Sequence, residues 1–405
     1  MPSSPPDGEP APLDGALPPD AVAGLSGRRL SLYVHVPFCA VRCGYCDFNT
    51  YTSAELGAAP GASQDAYLEA AVAELDLALQ ILPNAPPLQS VFFGGGTPTM
   101  LPPAALAGLL ASVRARFPLA SDAEVTTEAN PESVDQAGLD TLAEAGFTRL
   151  SLGMQSARPG VLAVLDRRHT PGRVGHVVQQ ARRAGFGSVS LDLIYGSPTE
   201  TIDDWRESLV TALAYQPDHV SAYSLIVEPG TRLAARIGRG ELPAPDEDYH
   251  ADCYLLAEEL LTEAGLANYE VSNWSRPGHE SRHNLAYWVG DDWWGVGPGA
   301  HSHVNGVRWW NVRHPRDYAA RLAAGESPGQ GREALSPNQR RVERVLLEPR
   351  LATGLPTTVL TRSERDRLPE LVARGLAQDE PERLRLTLEG RLLADAVIRD
   401  LLDPL

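Results

Sequence analysis

Three of the chain's four cysteines lie within eight residues, in the run Cys39-Ala-Val-Arg-Cys43-Gly-Tyr-Cys46. Thiolates bind zinc and iron–sulfur clusters, and closed sites of both kinds take four protein ligands. Three thiolates on one loop leave a [4Fe–4S] cluster with one iron open to an exogenous ligand, which makes a structural group reactive. A structural zinc site is the other metal reading. It needs a fourth Cys or His, and His35 lies near enough in sequence to supply it. A disulfide is disfavoured: the N-terminal residues lack the basic, apolar, small-residue order of a secretory signal, so a reducing, cytoplasmic compartment is expected. Cys253 falls in a helical pattern over Glu247–Glu263, where it is expected to be buried and inert.

The elements that hold this loop alternate regularly. Short β-branched or apolar runs at 31–36, 90–93, 124–128, 149–152, 188–194 and 219–224 are separated by amphipathic stretches at 66–82, 105–117, 133–145, 173–184 and 201–214. Six β-then-α units predict an α/β fold with a parallel sheet and outer helices, whose chemistry sits at the C-terminal ends of the strands. Those ends carry suitable residues. The first strand runs into the cysteine loop, the second into Gly94-Gly95-Gly96-Thr97-Pro98, and the third into Glu128-Ala129-Asn130-Pro131. The fourth gives Gly153-Met154-Gln155, the fifth carries Asp192 ahead of Tyr195-Gly196, and the sixth leads to Glu228-Pro229-Gly230. Glycines let a backbone approach a ligand and offer it unhindered N–H and C=O groups. Glu128 is of the type that accepts hydrogen bonds from a ligand amine or ribose, the lesser alternative being a solvated turn residue. Arg167 and Asp192, taken alone, are ordinary ion-pair candidates.

Composition narrows the function classes. The 405 residues suit two or three domains, and 35 basic against 52 acidic residues give a net charge of −17. Without a basic stripe interleaved with aromatics, nucleic acid is not an expected partner. No apolar run reaches the ~18 residues of a membrane-spanning helix. Every basic residue is arginine, so a Schiff-base nucleophile, a pyridoxal-phosphate anchor and a Walker A loop are excluded. Residues 1–28, rich in Pro, Ala and Asp, read as a disordered tail ahead of a core and its extension at 29–312. From 313 to 405 the pattern changes to helices at 316–324, 337–347 and 361–374, strand pieces near 378 and at 384–388, and a helix at 390–402. This suggests a winged-helix-like domain without a basic recognition face, suited to covering the barrel or meeting a partner.

The strings LYVHVPFCAVRCGYCDFN, FFGGGTPT, EANPES, RLSLGMQS, LDLIYGSP and NYEVSNWSRPGHESRHNLAYW together resemble the HemN/HemW branch of the radical S-adenosylmethionine (SAM) proteins, over nearly everything after the tail. The resemblance implies a partial (β/α)6 barrel with a C-terminal helical domain, and it makes Cys39, Cys43 and Cys46 the ligands of a [4Fe–4S] cluster. It places Tyr33, Gly95 and Glu128 at a first SAM, with Tyr45 beside the cofactor. Gly96, Thr97, Gln155, Arg167 and Asp192 match positions lining a second SAM pocket in the branch's coproporphyrinogen III dehydrogenase. The run from His283 to Trp288 resembles the HNxxYW motif of the branch's heme-chaperone group, which implies heme as cargo, with His283 as axial ligand and Tyr287 and Trp288 flanking the macrocycle. A heme-acceptor protein and an electron donor for the cluster are the implied partners. The alternative is the dehydrogenase, which decarboxylates two propionates to vinyls. Two departures disfavour it: Phe48 stands where that enzyme has a fourth cysteine, and the Pro/Ala tail stands where it has a closing segment.

Overall fold

Alternation along the strands divides them into an apolar face toward the helices and a mostly polar one, with a register shift in the second strand between Leu88 and Ser90. In β1 (Leu30–Val36), Leu30, Leu32, Val34 and Val36 join the apolar core, while Ser31, Tyr33 and His35 point the other way. The pattern recurs in β2 (Leu88–Gly95), β3 (Leu119–Ala129), β4 (Arg149–Gln155), β5 (Ser188–Tyr195) and β6 (His219–Ser224). Val91, Val125, Leu150, Leu191 and Val220 all lie in that core, whose other wall is a layer of helices. These are α1 (Gln64–Ile81), α2 (Pro103–Arg116), α3 (Gln136–Ala145), α4 (Arg173–Ala184) and α5 (Ile202–Ala214). Their boundaries follow local chemistry. Ser63 and Asp135 cap α1 and α3, Thr201 and Asp204 form a capping box on α5, and Gly146 ends α3 at φ 98°.

The computed structural model describes residues 8–403 apart from 26, 58–60, 168, 169 and 171. β1 to β6 pair in parallel and in sequential order, forming the expected partial (β/α)6 barrel. Beyond β6 the chain forms α6 (Glu247–Glu263), β7 (Ala267–Glu270), β8 (Asn273–Ser275) and α7 (Arg282–Trp288). β9 (Asp292–Val296) then adds to β1 in parallel, and β10 (His301–Val304), β11 (Val307–Asn311) and β12 (Gly329–Ala334) continue antiparallel from it. These four strands, the first three built from the Trp- and His-rich stretch, were not among the expected ones. Buried Glu74 of α1 ties them to the barrel. It accepts from Gly297 N at 2.8 Å, Asn311 Nδ2 at 2.7 Å and Tyr318 Oη at 2.6 Å. Burial pushes its carboxyl up to about 7.

The N-terminal residues differ from the disordered tail expected for 1–28. Residues 1–7 and 26 lie outside the described ones, but Glu9–Pro10 pairs with β12, Arg332 bonds Glu9 at 2.8 Å, and Ala21 and Leu25 are buried. An edge strand with unpaired backbone groups accepts even a proline-rich segment, because Pro still supplies a carbonyl acceptor. The sheet also runs past the expected boundary at 312. The second apolar core gathers Val345, Leu355, Leu371, Leu384, Val397 and Leu401. Its helix Pro337–Leu347 matches expectation, but the stretch 361–374 splits into Arg362–Arg365 and Leu368–Ala373, with Pro369 at the start of the second piece. The expected local hairpin is present as an antiparallel bridge between Ala377 and Leu386, with Gln378 N donating to Arg385 O at 2.9 Å, and a further pairing joins Leu355–Pro356 to Arg383–Leu384.

Glu74→Ala should lower stability by about 3 kcal/mol, because three donors lose a buried acceptor at once. Denaturant unfolding of the variant beside Glu74→Gln, which keeps part of the network, checks this.

Candidate cofactor site at the mouth of the barrel

The cysteine loop is folded back on itself before any ligand enters. Cys39 N donates to Tyr51 O at 3.0 Å, Tyr51 N to Pro37 O at 2.7 Å, and Arg42 to Thr50 O. Two outer contacts clamp the loop: Gly44 N donates to Leu165 O at 3.1 Å, and Leu233 N to Gly44 O at 2.8 Å. Tyr45 anchors it by packing against a small apolar cluster that includes Val161, Leu165, Ile194 and Leu225. The three thiols stay half-buried. Cys39 Sγ lies 3.9 Å from Thr97 Oγ1, and Arg167 Nη1 donates to Cys43 Sγ at 3.5 Å while its Nη2 donates to Gly153 O at 3.1 Å.

His35 is not a fourth ligand. Its Nδ1 lies 3.0 Å from Tyr33 Oη and its Nε2 2.9 Å from Asn49 O, so both nitrogens are engaged. A mononuclear zinc needs its donors about 2.3 Å from one point, and among the described residues no three Cys, His, Asp or Glu side chains gather that way. A cluster spreads its thiolates over separate irons, which suits three cysteines on a wide loop. Cys253 is fully buried in α6, and burial pushes its thiol up to about 12.

The triglycine at the end of β2 is packed against the base of this loop. Gly96 N donates to Val36 O and Thr97 N to Phe38 O, both at 2.8 Å. A Cβ on Gly96 would sit 2.5 Å from Phe38 O, and one on Gly95, at φ 107°, 2.5 Å from the His35 ring. Gly95 N in turn donates to Glu128 Oε2 at 3.1 Å. Burial, then the charge of Asp192, pushes the Glu128 carboxyl up to about 8 against the pull of that N–H. Asp192 accepts from Ser221 at 2.8 Å and Ser151 at 2.9 Å, yet burial still holds it above the usual range. Two carboxyl groups held this way favour a ligand that brings positive charge, and a sulfonium with an α-amine does so. Gln155, at φ 64°, ends β4 beside Arg167.

Tyr33, Tyr45, Gly95, Gly96, Thr97, Glu128, Gln155, Arg167 and Asp192 are therefore gathered around the strand ends with the cysteines. His283 is placed otherwise, which corrects its expected role as a free axial ligand. It is 1% exposed, its Nδ1 lies 2.8 Å from Ser90 Oγ and its Nε2 2.8 Å from Tyr287 Oη, so no nitrogen is open to iron. Tyr287 supports the imidazole instead of flanking a macrocycle, and Trp288 is half-buried at the end of α7. Sequence reasoning weighed His35 only as a zinc ligand and missed Ser151 and Ser221. Their signal was the period-2 recurrence of polar residues between the apolar positions of β4 and β6.

The fold and the three-cysteine mouth define a radical SAM protein, and the Radical SAM superfamily pattern matches residues 33–212. Such membership implies a [4Fe–4S] cluster and SAM, and the soft donor set and paired carboxyl groups fit both. The chain is 52% identical over 381 residues to the heme chaperone HemW of Mycobacterium tuberculosis, covering 94% of this chain and 97% of that protein. It is 34% identical to the Escherichia coli heme chaperone HemW, covering 91% and 97%. The E. coli coproporphyrinogen III oxidase HemN structure superposes with a TM-score of 0.80 at 25% identity, covering 94% of this chain and 91% of that one. The chain belongs to the HemW family.

Because the folded-state value for Glu128 lies above its unfolded one, stability is full below about pH 4.5 and is lost as pH rises toward 8. In cofactor-free protein, Glu128→Gln should therefore stabilise by about 1 kcal/mol at pH 8, after discounting for partial exposure, and by little at pH 4. Unfolding curves at the two pH values read the difference.

Proposed function

We propose that the protein is a cytoplasmic heme carrier that binds a [4Fe–4S] cluster, SAM and heme and passes the heme to an acceptor protein, with an electron donor serving the cluster. The observation that carries the reading is the full-length similarity to heme chaperones, 97% of the M. tuberculosis protein at 52% identity. Cys39, Cys43 and Cys46 would hold the cluster, with Arg167 donating to the Cys43 sulfur. Gly95 and Gly96 would present backbone to the methionine end of SAM, and Glu128 and Asp192 would balance its positive charge. The reduced cluster, when bound, supplies the electron that breaks a sulfonium C–S bond. Tyr45 and Phe38 hold the loop closed behind these groups through their packing.

Phe48 favours a carrier over the dehydrogenase. It is 49% exposed at the position where the decarboxylase pattern has a cysteine. The described N-terminal residues are tied to β12 at the sheet edge, which favours a mouth open to a large planar cargo, whereas radical decarboxylation needs a sealed cavity. No helix among the described residues is long and apolar enough to cross a membrane.

Replacing any of Cys39, Cys43 or Cys46 by Ala should abolish the cluster absorbance after anaerobic reconstitution, while Cys253→Ala should retain it. Anaerobic incubation of reconstituted protein with SAM, a reductant and either heme or coproporphyrinogen III should give retained, transferable heme and no vinyl product. Catalytic vinyl formation would overturn the carrier reading.

A further inference from the structure

Two phenols inside the barrel are each tied to a neutral imidazole, and in both pairs the far ring nitrogen fixes the tautomer. His35 Nε2 faces Asn49 O, which can only accept, so Nε2 carries the proton and Nδ1 accepts from Tyr33 O–H at 3.0 Å. His283 Nδ1 faces Ser90 Oγ, whose one proton is directed at Ser31 Oγ 2.9 Å away. Nδ1 is thus a donor, and Nε2 accepts from Tyr287 O–H at 2.8 Å. Burial holds both imidazoles far below the ordinary histidine range, near 4 and 3, so both are neutral bases. A phenol hydrogen-bonded to a base loses an electron more readily than a free one, because its proton crosses to the base as the electron leaves.

The rings form one file. Tyr33 lies 6.1 Å from His283, His283 5.0 Å from Tyr287, and Tyr287 4.6 Å from Trp293, between ring centroids. Phe92 fills the gap at 6.2 Å from Tyr33 and 5.0 Å from His283. The file begins on β1, whose end carries the cysteine loop, and reaches half-buried Trp293 on β9. Packing alone explains rings in a lumen. It does not explain two hydroxyls, since phenylalanine would fill the same space without a buried O–H to satisfy.

We propose that the Tyr33–His35 and Tyr287–His283 pairs form a proton-coupled relay that carries an oxidising equivalent from the mouth of the barrel to Trp293. A high-potential one-electron oxidant at the mouth, of the class formed when heme meets peroxide, takes one electron from Tyr33 as its proton moves to His35 Nδ1. Tyr287 then reduces the Tyr33 phenoxyl; the first proton returns to Tyr33 and the Tyr287 proton moves to His283 Nε2. Trp293 gives the last electron and the proton returns to Tyr287, so that one electron has left Trp293 and no proton has been lost from either pair. The identity of the oxidant rests on the heme reading. The relay itself does not.

The test uses the purified, cluster-reconstituted protein without heme, oxidised by photogenerated ruthenium(III) tris-bipyridine and freeze-quenched for electron paramagnetic resonance. A tryptophan radical absent from Trp293→Phe is expected, forming more slowly in D2O and falling severalfold in Tyr287→Phe. Tyr33→Phe, which must lower the same signal, keeps the test decisive if Tyr287→Phe is poorly folded. An undiminished Trp293 radical in the tyrosine variants, or none in the unaltered protein, would overturn the relay and leave the pairs as struts. A second arm oxidises heme-loaded protein with peroxide. Failure to bind heme would stop this arm alone, which separates the failure of heme carriage from the failure of the relay.

Discussion

The polar face that six parallel strands turn inward must satisfy its own hydrogen bonds, because it lies away from bulk water and each unpaired group would cost free energy. The barrel meets most of this demand by pairing its inner residues with one another and with α7, leaving Thr126 Oγ1 among the unpartnered exceptions. Ser31 meets Ser90, Ser90 meets His283, Arg149 meets Glu124, and Ser151 and Ser221 share Asp192. The register that aligns Ser31 with Ser90 and Asp192 with Ser221 makes these pairs possible. A shift of one residue would turn the polar set into the helix layer and the apolar set into the lumen.

The mouth depends on that register. β1 and β2 end level with one another, so the triglycine can bond the backbone leading into the cysteine loop, and Glu128 on β3 can reach Gly95 N. The thiols are thereby held on a loop shaped by backbone contacts, not by their own side chains. Charge is arranged with equal economy. Arg167 approaches Cys43 and donates to its sulfur, while Glu128 and Asp192 sit deeper and accept from N–H and hydroxyl groups. The deep end suits a cation and the loop suits a thiolate-bound metal centre.

The extension strands explain two features that look unrelated in the sequence. Four strands beyond β1 leave an edge at β12, and the N-terminal Glu9–Pro10 segment covers it. They also bury Trp294 and Trp309 against one another, which makes these two tryptophans part of the packing between the added strands. His283 and Tyr287 lie one helical turn apart on α7, which aims both rings into the lumen and away from solvent.

The sequence by itself determined the cysteine triad, the six β/α units and the residues at their C-terminal ends, because those signals are local: ligand spacing, hydrophobic period and turn glycines. It also carried the polar alternation that lines the lumen, although single strands of a few residues make that pattern easy to pass over. Only the tertiary structure decided where long-range partners fall. That His35 is spent on Tyr33 and Asn49, that His283 is closed between Ser90 and Tyr287, and that a Pro/Ala-rich start pairs with β12 all depend on residues up to hundreds of positions apart. No spacing rule reports such meetings, since the free energy that selects them is the satisfaction of buried polar groups once the chain has folded.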